Sequence, residues 1–477
     1  MSANSAKSNQ TSVSWLLRRA SSVLMLLAAS VAANARNLAA DGCPVFHCTL
    51  EATGTIYQPM ISTVTNTGVT NNSSTLGYLP KQGCSGNGTV LACLFATDNQ
   101  TGIGKGTLKQ LNATTLQANW GSAGAANSFN LNPATAASGQ VPVIFADGST
   151  AAADGGNLVL YSSKGAVLKK LALVGHTLNL GLTLLSTTYG VVSEANGMLT
   201  LVNMTTWTSV GTLTLVDPVT NGALTLVSPS TAAPNVLYAV AENKATGKGF
   251  VFSIALNTTA NQLVVSSVFT FTGQSGASPV IVTPSVSGLS NNMMLLHVPG
   301  LVGDVQPQNR LLGLLDSPTG IQQMWAIPLT APLVVAPTFD QNSLMVFYHQ
   351  NYSPYIYQNQ LLTGAPVRTL NLQTIAGMPS TFQLNSHLGA TQYGSAFTLL
   401  LGGQYTISPG IGAQFVLAYQ PIASPKTLLW SRQISTVPLI YFAAWNFAPS
   451  LETGIVCPIA ITSDTTSTSL IVRLCDH

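Results

Sequence analysis

Two stretches of this chain bring aromatic rings and side-chain amides together. One is His349-Gln350-Asn351-Tyr352-Ser353-Pro354-Tyr355-Ile356-Tyr357-Gln358-Asn359-Gln360. The other is Tyr441-Phe442-Ala443-Ala444-Trp445-Asn446-Phe447. Rings beside amides suit the faces of sugars, because a ring offers apolar contact while an amide both donates and accepts hydrogen bonds. Tyr352, Tyr355, Tyr357 and Trp445 are therefore the candidate ligand-binding residues, and an extracellular glycan or protein is the expected partner. The competing use of the same rings is packing between strands, since aromatic side chains dominate cores.

Other chemistry is thinly represented. Glutamate occurs only at Glu51, Glu194, Glu242 and Glu452, and the histidines before the terminus (His47, His176, His297, His349 and His387) are scattered. No spacing nominates a carboxylate pair for glycoside hydrolysis. There is no Gly-x-Ser-x-Gly elbow, no Ser-x-Asp-x-Gly box and no zinc-like Cys/His pattern. Asp147 and Asp154 share a Gly-rich loop, but two carboxylates fall short of the six to eight oxygens that calcium takes, so they read as turn residues. No catalytic, cofactor-binding or metal-ligating residue is assigned, and no cofactor is expected.

The elements that would position the rings follow from a repeat. Thr107–Leu116 (TLKQLNATTL) lies over Met198–Trp207 (MLTLVNMTTW) at an offset of 203 − 112 = 91 residues. That is two units of about 45, the length of a four-stranded propeller blade. Further copies are Phe250–Leu263 with Asn257-Thr258-Thr259, Leu311–Trp325 with Asp316-x-x-Thr319-Gly320, Tyr355–Leu370 with Thr363-Gly364, and Phe415–Trp430. Asn157–Leu168 is a weaker one. In each, an apolar run meets a polar turn, and a second run often ends in Trp. Asn, Asp and Thr side chains bond the backbone two residues on, and Gly supplies positive φ. The expected fold is an all-β propeller of about eight four-stranded blades, with seven as the alternative. Residues 43–477 divided by eight give about 54 residues per blade. Leu333 to Ala336, Ser343 to Tyr348 and Tyr355 to Tyr357 read as three strands of one blade.

Two of these units, Leu315-Asp316-x-x-Thr319-Gly320-x-x-x-x-Trp325 and Asn112-x-Thr114-Thr115-x-x-x-x-Trp120, resemble the repeat of the quinoprotein (PQQ-repeat) β-propeller superfamily. The resemblance runs from about Val90 onward. In its dehydrogenases it implies a calcium held by carboxylate and amide, an Asp base, an Arg beside the quinone and often a vicinal Cys-Cys pair. This chain has no Cys-Cys pair, and its sparse basic residues give no assignable grip on a tricarboxylate. The expectation is a non-catalytic, scaffold-like member, with a quinone-dependent oxidoreductase and a self-assembling structural protein as the alternative readings.

The compartment is written at the ends of the chain. Lys7, Arg18 and Arg19 precede the apolar Ser21–Ala33, and Ala33-Asn34-Ala35 offers a small-residue cleavage site. This is the pattern of a secretory signal over residues 1–35, and the apolar run is shorter than the roughly 20 residues of a membrane span. Residues 36–89 form an irregular segment, and residues 90–477 the propeller, closed by its C-terminal strands. Charged residues make up 6% of the chain, against roughly 25% in soluble proteins. Removing the signal leaves 17 − 3 = 14 basic residues against 14 acidic ones. That balance excludes nucleic acid, which demands clustered Lys and Arg, and it favours self-association. No second membrane-length apolar span follows.

Six cysteines in a secreted chain imply disulfides. Cys43–Cys48 and Cys84–Cys93 read as local pairs. Counting outward from the turn at Asp464 to Ser467 sets Cys457 opposite Cys475. Sequons occur at Asn71, Asn72, Asn87, Asn99, Asn112, Asn203, Asn257 and Asn351, and they license glycosylation in a eukaryotic host.

Overall fold

A computed structural model describes residues 55–56, 64, 70–71, 84–96, 104–121, 129–131, 142–154, 156–173, 178–194, 197–232, 235–273, 278–299, 309–333, 336–350, 352–385, 388–409, 411–423, 427–438, 446–452, 455–463 and 469–475. The expected signal, the Cys43–Cys48 pair, Trp445 and the sequons at Asn72, Asn99 and Asn351 lie outside these residues.

Eight sheets follow one another along the chain, antiparallel throughout except where Thr55–Ile56 pairs parallel with Gly389–Tyr393. Seven contain four consecutive strands, and we number these blades 1 to 7. Blade 1 is Cys84–Gly86, Val90–Ala96, Gly104–Asn112 and Ala118–Gly121; blade 2 is Val143–Ile144, Thr150–Asp154, Asn157–Tyr161 and Val167–Ala172; blade 3 is Leu178–Leu184, Tyr189–Glu194, Met198–Asn203 and Thr208–Thr214. Blade 4 is Thr225–Ala232, Val236–Asn243, Lys248–Asn257 and Gln262–Thr272; blade 5 is Val280–Val282, Met293–Val298, Arg310–Ser317 and Gly320–Pro328. Blade 6 is Thr338–Asp340, Met345–Tyr348, Tyr355–Gln360 and Pro366–Asn371; blade 7 is Gly389–Tyr393, Ala396–Ser408, Ile411–Gln420 and Thr427–Pro438, with Thr55–Ile56 and Gln383–Leu384 added to it. Blade 8 is composite: Asn446–Glu452, Ile455–Ser463 and Ser469–Arg473 take Thr70–Asn71 as a fourth strand.

First strands such as Val280–Val282 and Thr338–Asp340 are buried throughout, and fourth strands such as Val167–Ala172 and Thr208–Thr214 are largely exposed. First strands therefore line the axis and fourth strands form the rim. Eight hydrophobic clusters fill the eight seams. One joins blade 8 to blade 1 through Ile459, Ile471, Leu91 and Leu111, which closes the ring. Closure leaves no blade face open to water, where unpaired edges and bare apolar faces would be costly. The all-β propeller expected from the repeat is the observed fold.

The turn between third and fourth strands is built as its side chains dictate. The Asn112 Oδ1 accepts the N–H groups of Thr114 and Thr115 at 2.8 and 2.9 Å. Asn203 does the same for Thr205 and Thr206, and Asn257 for Thr259 and Ala260. Trp120 and Trp325 stand on fourth strands and lean into the next seam, where Trp120 stacks on Tyr161 at 5.5 Å. The Trp325 Nε1 donates to the Leu361 carbonyl at 3.0 Å.

Three expectations need correction. Strand structure begins before Val90, because Cys84–Gly86 is the first strand of blade 1 and Thr70–Asn71 completes blade 8. The boundary drawn at 89/90 therefore falls inside a sheet. Among the described residues, the opening strand of blade 6 is Thr338–Asp340 and includes neither Leu333 nor Ala336. Pro337 has no N–H for a ladder, so pairing starts just after it at Thr338, and Leu333 makes only an isolated bridge to Gln350. Asp316 does not cap its turn; Ser317 takes that place, its Oγ accepting the Thr319 N–H.

Cys84–Cys93 and Cys457–Cys475 are disulfide-bonded, with Cα atoms 4.4 and 5.2 Å apart. The second pair follows from register: Ile459 faces Arg473, and two steps outward on each strand set Cys457 against Cys475.

Candidate ligand-binding face

The tyrosines of blade 6 are placed by one loop and one strand. The loop before Tyr355–Gln360 is tied down on both sides. The Leu384 N–H donates to the Ser353 carbonyl at 3.0 Å, the Leu372 N–H to the Pro354 carbonyl at 3.1 Å, and the Tyr355 N–H to the Ser353 Oγ at 3.2 Å. Tyr352 takes φ +55 in that loop and is 58% exposed. Positive φ is unusual for a non-glycine residue.

Along the strand, Tyr355 and Tyr357 share one face, as residues two apart must. Their ring centroids are 6.5 Å apart, and Tyr357 stacks on Tyr348 at 5.3 Å. Tyr355 is 38% exposed and Tyr348 is buried. The result is a ladder of three rings running inward from the surface, with Tyr352 close in sequence to its outer end. Burial, and then the neighbouring Tyr357, push the Tyr348 phenol above its ordinary range. Its hydroxyl donates to the Asn359 Oδ1 at 3.2 Å.

The amides of this stretch behave differently from the rings. The Asn359 Nδ2 donates to the Gly364 carbonyl, and the Gln350 Oε1 accepts from Thr330 Oγ1 and the Ala331 N–H, both at 2.6 Å. Gln358 Oε1 accepts from Arg368, and Gln360 Oε1 from Thr363. The amides hold turns and seams, so the polar groups beside the exposed rings are the tyrosine hydroxyls and Ser353. His349 is buried beneath this loop. His297 faces the same seam from blade 5. Its Nε2 accepts the Leu333 N–H at 3.2 Å, and burial pulls the imidazole down to about 4.

Two carboxylates held by several hydrogen bonds escaped the sequence reading, Asp316 half-buried and Asp217 buried. Asp316 sits in the seam of blades 4 and 5. Its Oδ2 accepts from the Tyr238 hydroxyl at 2.7 Å and the Ser253 Oγ at 2.8 Å, and its Oδ1 from the Ser267 Oγ at 3.2 Å. Burial, reinforced by Asp316, pushes the Tyr238 phenol up. Asp217 accepts from the Asn243 Nδ2 at 2.8 Å and from the Val219 and Thr220 N–H groups. Burial raises the Asp217 carboxyl, but these bonds outweigh it and bring the group down to about 2. Both carboxylates are committed to their own chain and act as structural nodes.

Among the described residues no three His, Cys, Asp or Glu side chains group as metal ligands, and no helix is long and apolar enough to cross a membrane. Asp147 accepts from the backbone N–H of Ser149 two residues on, as a turn residue does.

No protein-family model matches this chain, and no curated protein matches it. Solved structures do. BamB from Moraxella catarrhalis aligns with a TM-score of 0.44 at 9% identity, covering 87% of this chain and 99% of that one. A europium-containing methanol dehydrogenase aligns at 0.49 and 10% identity, covering 88% and 89%. The computationally designed Ika8 protein aligns at 0.46 and 11% identity, covering 83% and 96%. These are likenesses of fold, and no residue role is carried over from them.

Proposed function

We propose that this chain is a secreted, non-catalytic β-propeller of the PQQ-repeat kind that binds a neutral polymer, most simply a glycan, on blade 6. The observation that carries the reading is the tyrosine ladder: Tyr352 and Tyr355 are exposed, and Tyr357 and Tyr348 buttress Tyr355 from inside. Apolar ring faces with hydroxyl edges fit sugar rings, and a chain with 6% charged residues has little to attract an ionic ligand. The two disulfides suit an oxidising compartment. Trp445, on the segment leading into blade 8, would add a second stacking residue. The 1–35 signal would leave Arg36 as the mature terminus, which N-terminal sequencing of secreted protein reads directly. Asn257 is the sequon best placed for a glycan, exposed in the turn between the third and fourth strands of blade 4.

The test is retention on a glycan array. Each exposed ring should contribute about 1 kcal/mol, roughly fivefold in affinity. Tyr352→Ala and Tyr355→Ala should each weaken binding by that much while folding normally, and Trp445→Ala should behave likewise. Unchanged retention with all three variants sinks the glycan reading. Dye reduction on adding quinone and calcium would instead support the oxidoreductase alternative.

A further inference from the structure

Every rim strand exposes one backbone edge, and proteins protect such edges with charge, proline or brevity. Most of this rim is protected. Blade 2's Val167–Ala172 carries Lys169 and Lys170, and blade 6's Pro366–Asn371 carries Pro366 and Arg368. Blade 7's Thr427–Pro438 carries Arg432. The outer strands of blades 1 and 8, Ala118–Gly121 and Thr70–Asn71, are four and two residues long.

Blades 3, 4 and 5 have outer strands without charge, but Thr208–Thr214 is broken by Gly211 and Gly320–Pro328 is bounded by glycine and proline, so blade 4 has the longest unbroken uncharged edge among the described residues. Its outer strand Gln262–Thr272 has eleven residues, QLVVSSVFTFT, with no charge, proline or glycine. A bulge at Ser266 interrupts pairing with the third strand, and beyond it Ser267 to Thr272 pairs regularly with Lys248 to Ser253. Six uncharged residues, five of them Val, Phe or Thr with high β-propensity, are the composition that pairs edge to edge. Val264 is 45% exposed, and Thr270 also faces solvent. Among the described residues, the only hydrogen bond reaching this strand's backbone from another blade is Arg310 to the Thr272 carbonyl, at the strand's end.

We infer that the edge of Gln262–Thr272 is a docking surface for a second copy of this chain, which pairs antiparallel with the same strand about a twofold axis. The choice of a second copy rests on charge. A twofold axis sets each residue near its own counterpart, so the lysines of blade 2 or the arginine of blade 6 would face like charges in a self-pairing. The blade 4 edge brings none together. Equal numbers of acidic and basic residues after residue 35 add no long-range repulsion between copies. The strand edge is also self-complementary, since its outward N–H and C=O groups alternate identically in both copies.

The test is sedimentation velocity on the full mature chain over a wide concentration range. The wild type should dimerise, and Val264→Lys combined with Thr270→Lys should raise the apparent dissociation constant at least tenfold. Leu168→Lys on the blade 2 rim should leave it unchanged. As a second readout, backbone amide exchange in residues 262–272 of the wild type should slow as concentration rises, while exchange on the other rims should not. A wild type that stays monomeric throughout overturns the inference, as does a dimer that survives both lysines or shows no protection on this strand. Glycan retention by the lysine variants should match the wild type per subunit, so failure here is distinguishable from failure of the blade 6 reading.

Discussion

Gly364 is the position where the seam geometry can be measured. It lies at φ +69 in the turn of blade 6, and a Cβ there would sit 2.8 Å from Cδ2 of the Trp325 ring and 3.0 Å from Cγ and Cε3. Two costs should add in Gly364→Ala. Left-handed backbone costs an alanine about 1–2 kcal/mol. Overlap with a ring fixed by its own hydrogen bond to Leu361 should cost about 1–3 kcal/mol more. The total is about 2–5 kcal/mol. Gly377 supplies the control, because it has φ +62 and nothing within 4 Å of the added Cβ. Gly377→Ala should therefore show the backbone cost alone, about 1–2 kcal/mol. Urea unfolding of wild type and both variants, followed by tryptophan fluorescence, gives the comparison through shifts in midpoint at constant slope. If Gly364→Ala costs no more than Gly377→Ala, the tryptophan does not press on the turn, and the account of the seam is wrong.

Three further outcomes are expected. Cys457→Ser with Cys475→Ser opens a loop of 18 residues' separation and should destabilise the last blade by about 3 kcal/mol; peptide mapping that joins either cysteine elsewhere refutes the pairing. His297 is neutral when folded and has its imidazole lowered from 6.5 to about 4, so the unfolded chain takes up its proton first. Stability from this group is complete above pH 6.5 and falls as pH drops towards 4, by about 3 kcal/mol in all, and His297→Leu should flatten that window in acid titrations followed by urea. Asp217 is lowered from 3.8 to about 2, so its contribution is present above pH 3.8 and is lost as pH falls to about 2; an unchanged acid limb in Asp217→Asn would refute it.

What the sequence revealed was local. The turn at Asn112, Asn203 and Asn257 is legible because its bonds span two or three residues, and the side chain that makes them names itself. The facing of Cys457 and Cys475 was legible for the same reason, since a hairpin turn fixes register. Closure by Thr70–Asn71 was not. Two residues have no periodicity, and their partner Val472 lies at the far end of the chain. Short axial strands such as Val143–Ile144 escape for the same lack of pattern. In the blade 6 stretch the residue types were right but their directions were not. Period-two alternation placed Tyr355 and Tyr357 together, yet which amides would be spent on Thr330, Gly364 and Arg368 depended on neighbours that no window of sequence contains.

The weakness of the sequence repeat has a physical cause in the seams. Leu116, Trp207, Asn261 and Gly364 stand four residues after their turn's first position, and Gly165 and Gly320 three residues after Ser162 and Ser317, all at positive φ. The backbone repeats and the residue does not. Gly165 lies under Trp120 and Gly364 under Trp325, where a Cβ would strike the ring at 2.8 Å. Blade 2 has no tryptophan on its fourth strand. The seam it leaves is filled from the other side, by Trp207 of blade 3, whose Nε1 donates to the Leu158 carbonyl at 3.3 Å. A tryptophan tolerates left-handed backbone there because its burial, about 3–5 kcal/mol by truncation, exceeds the strain of about 1–2 kcal/mol. In these three seams one tryptophan fills the gap, and it comes from either blade. The turn geometry stays constant while the residue standing at it changes from glycine to asparagine, leucine or tryptophan, so the units share a shape that their letters only partly record.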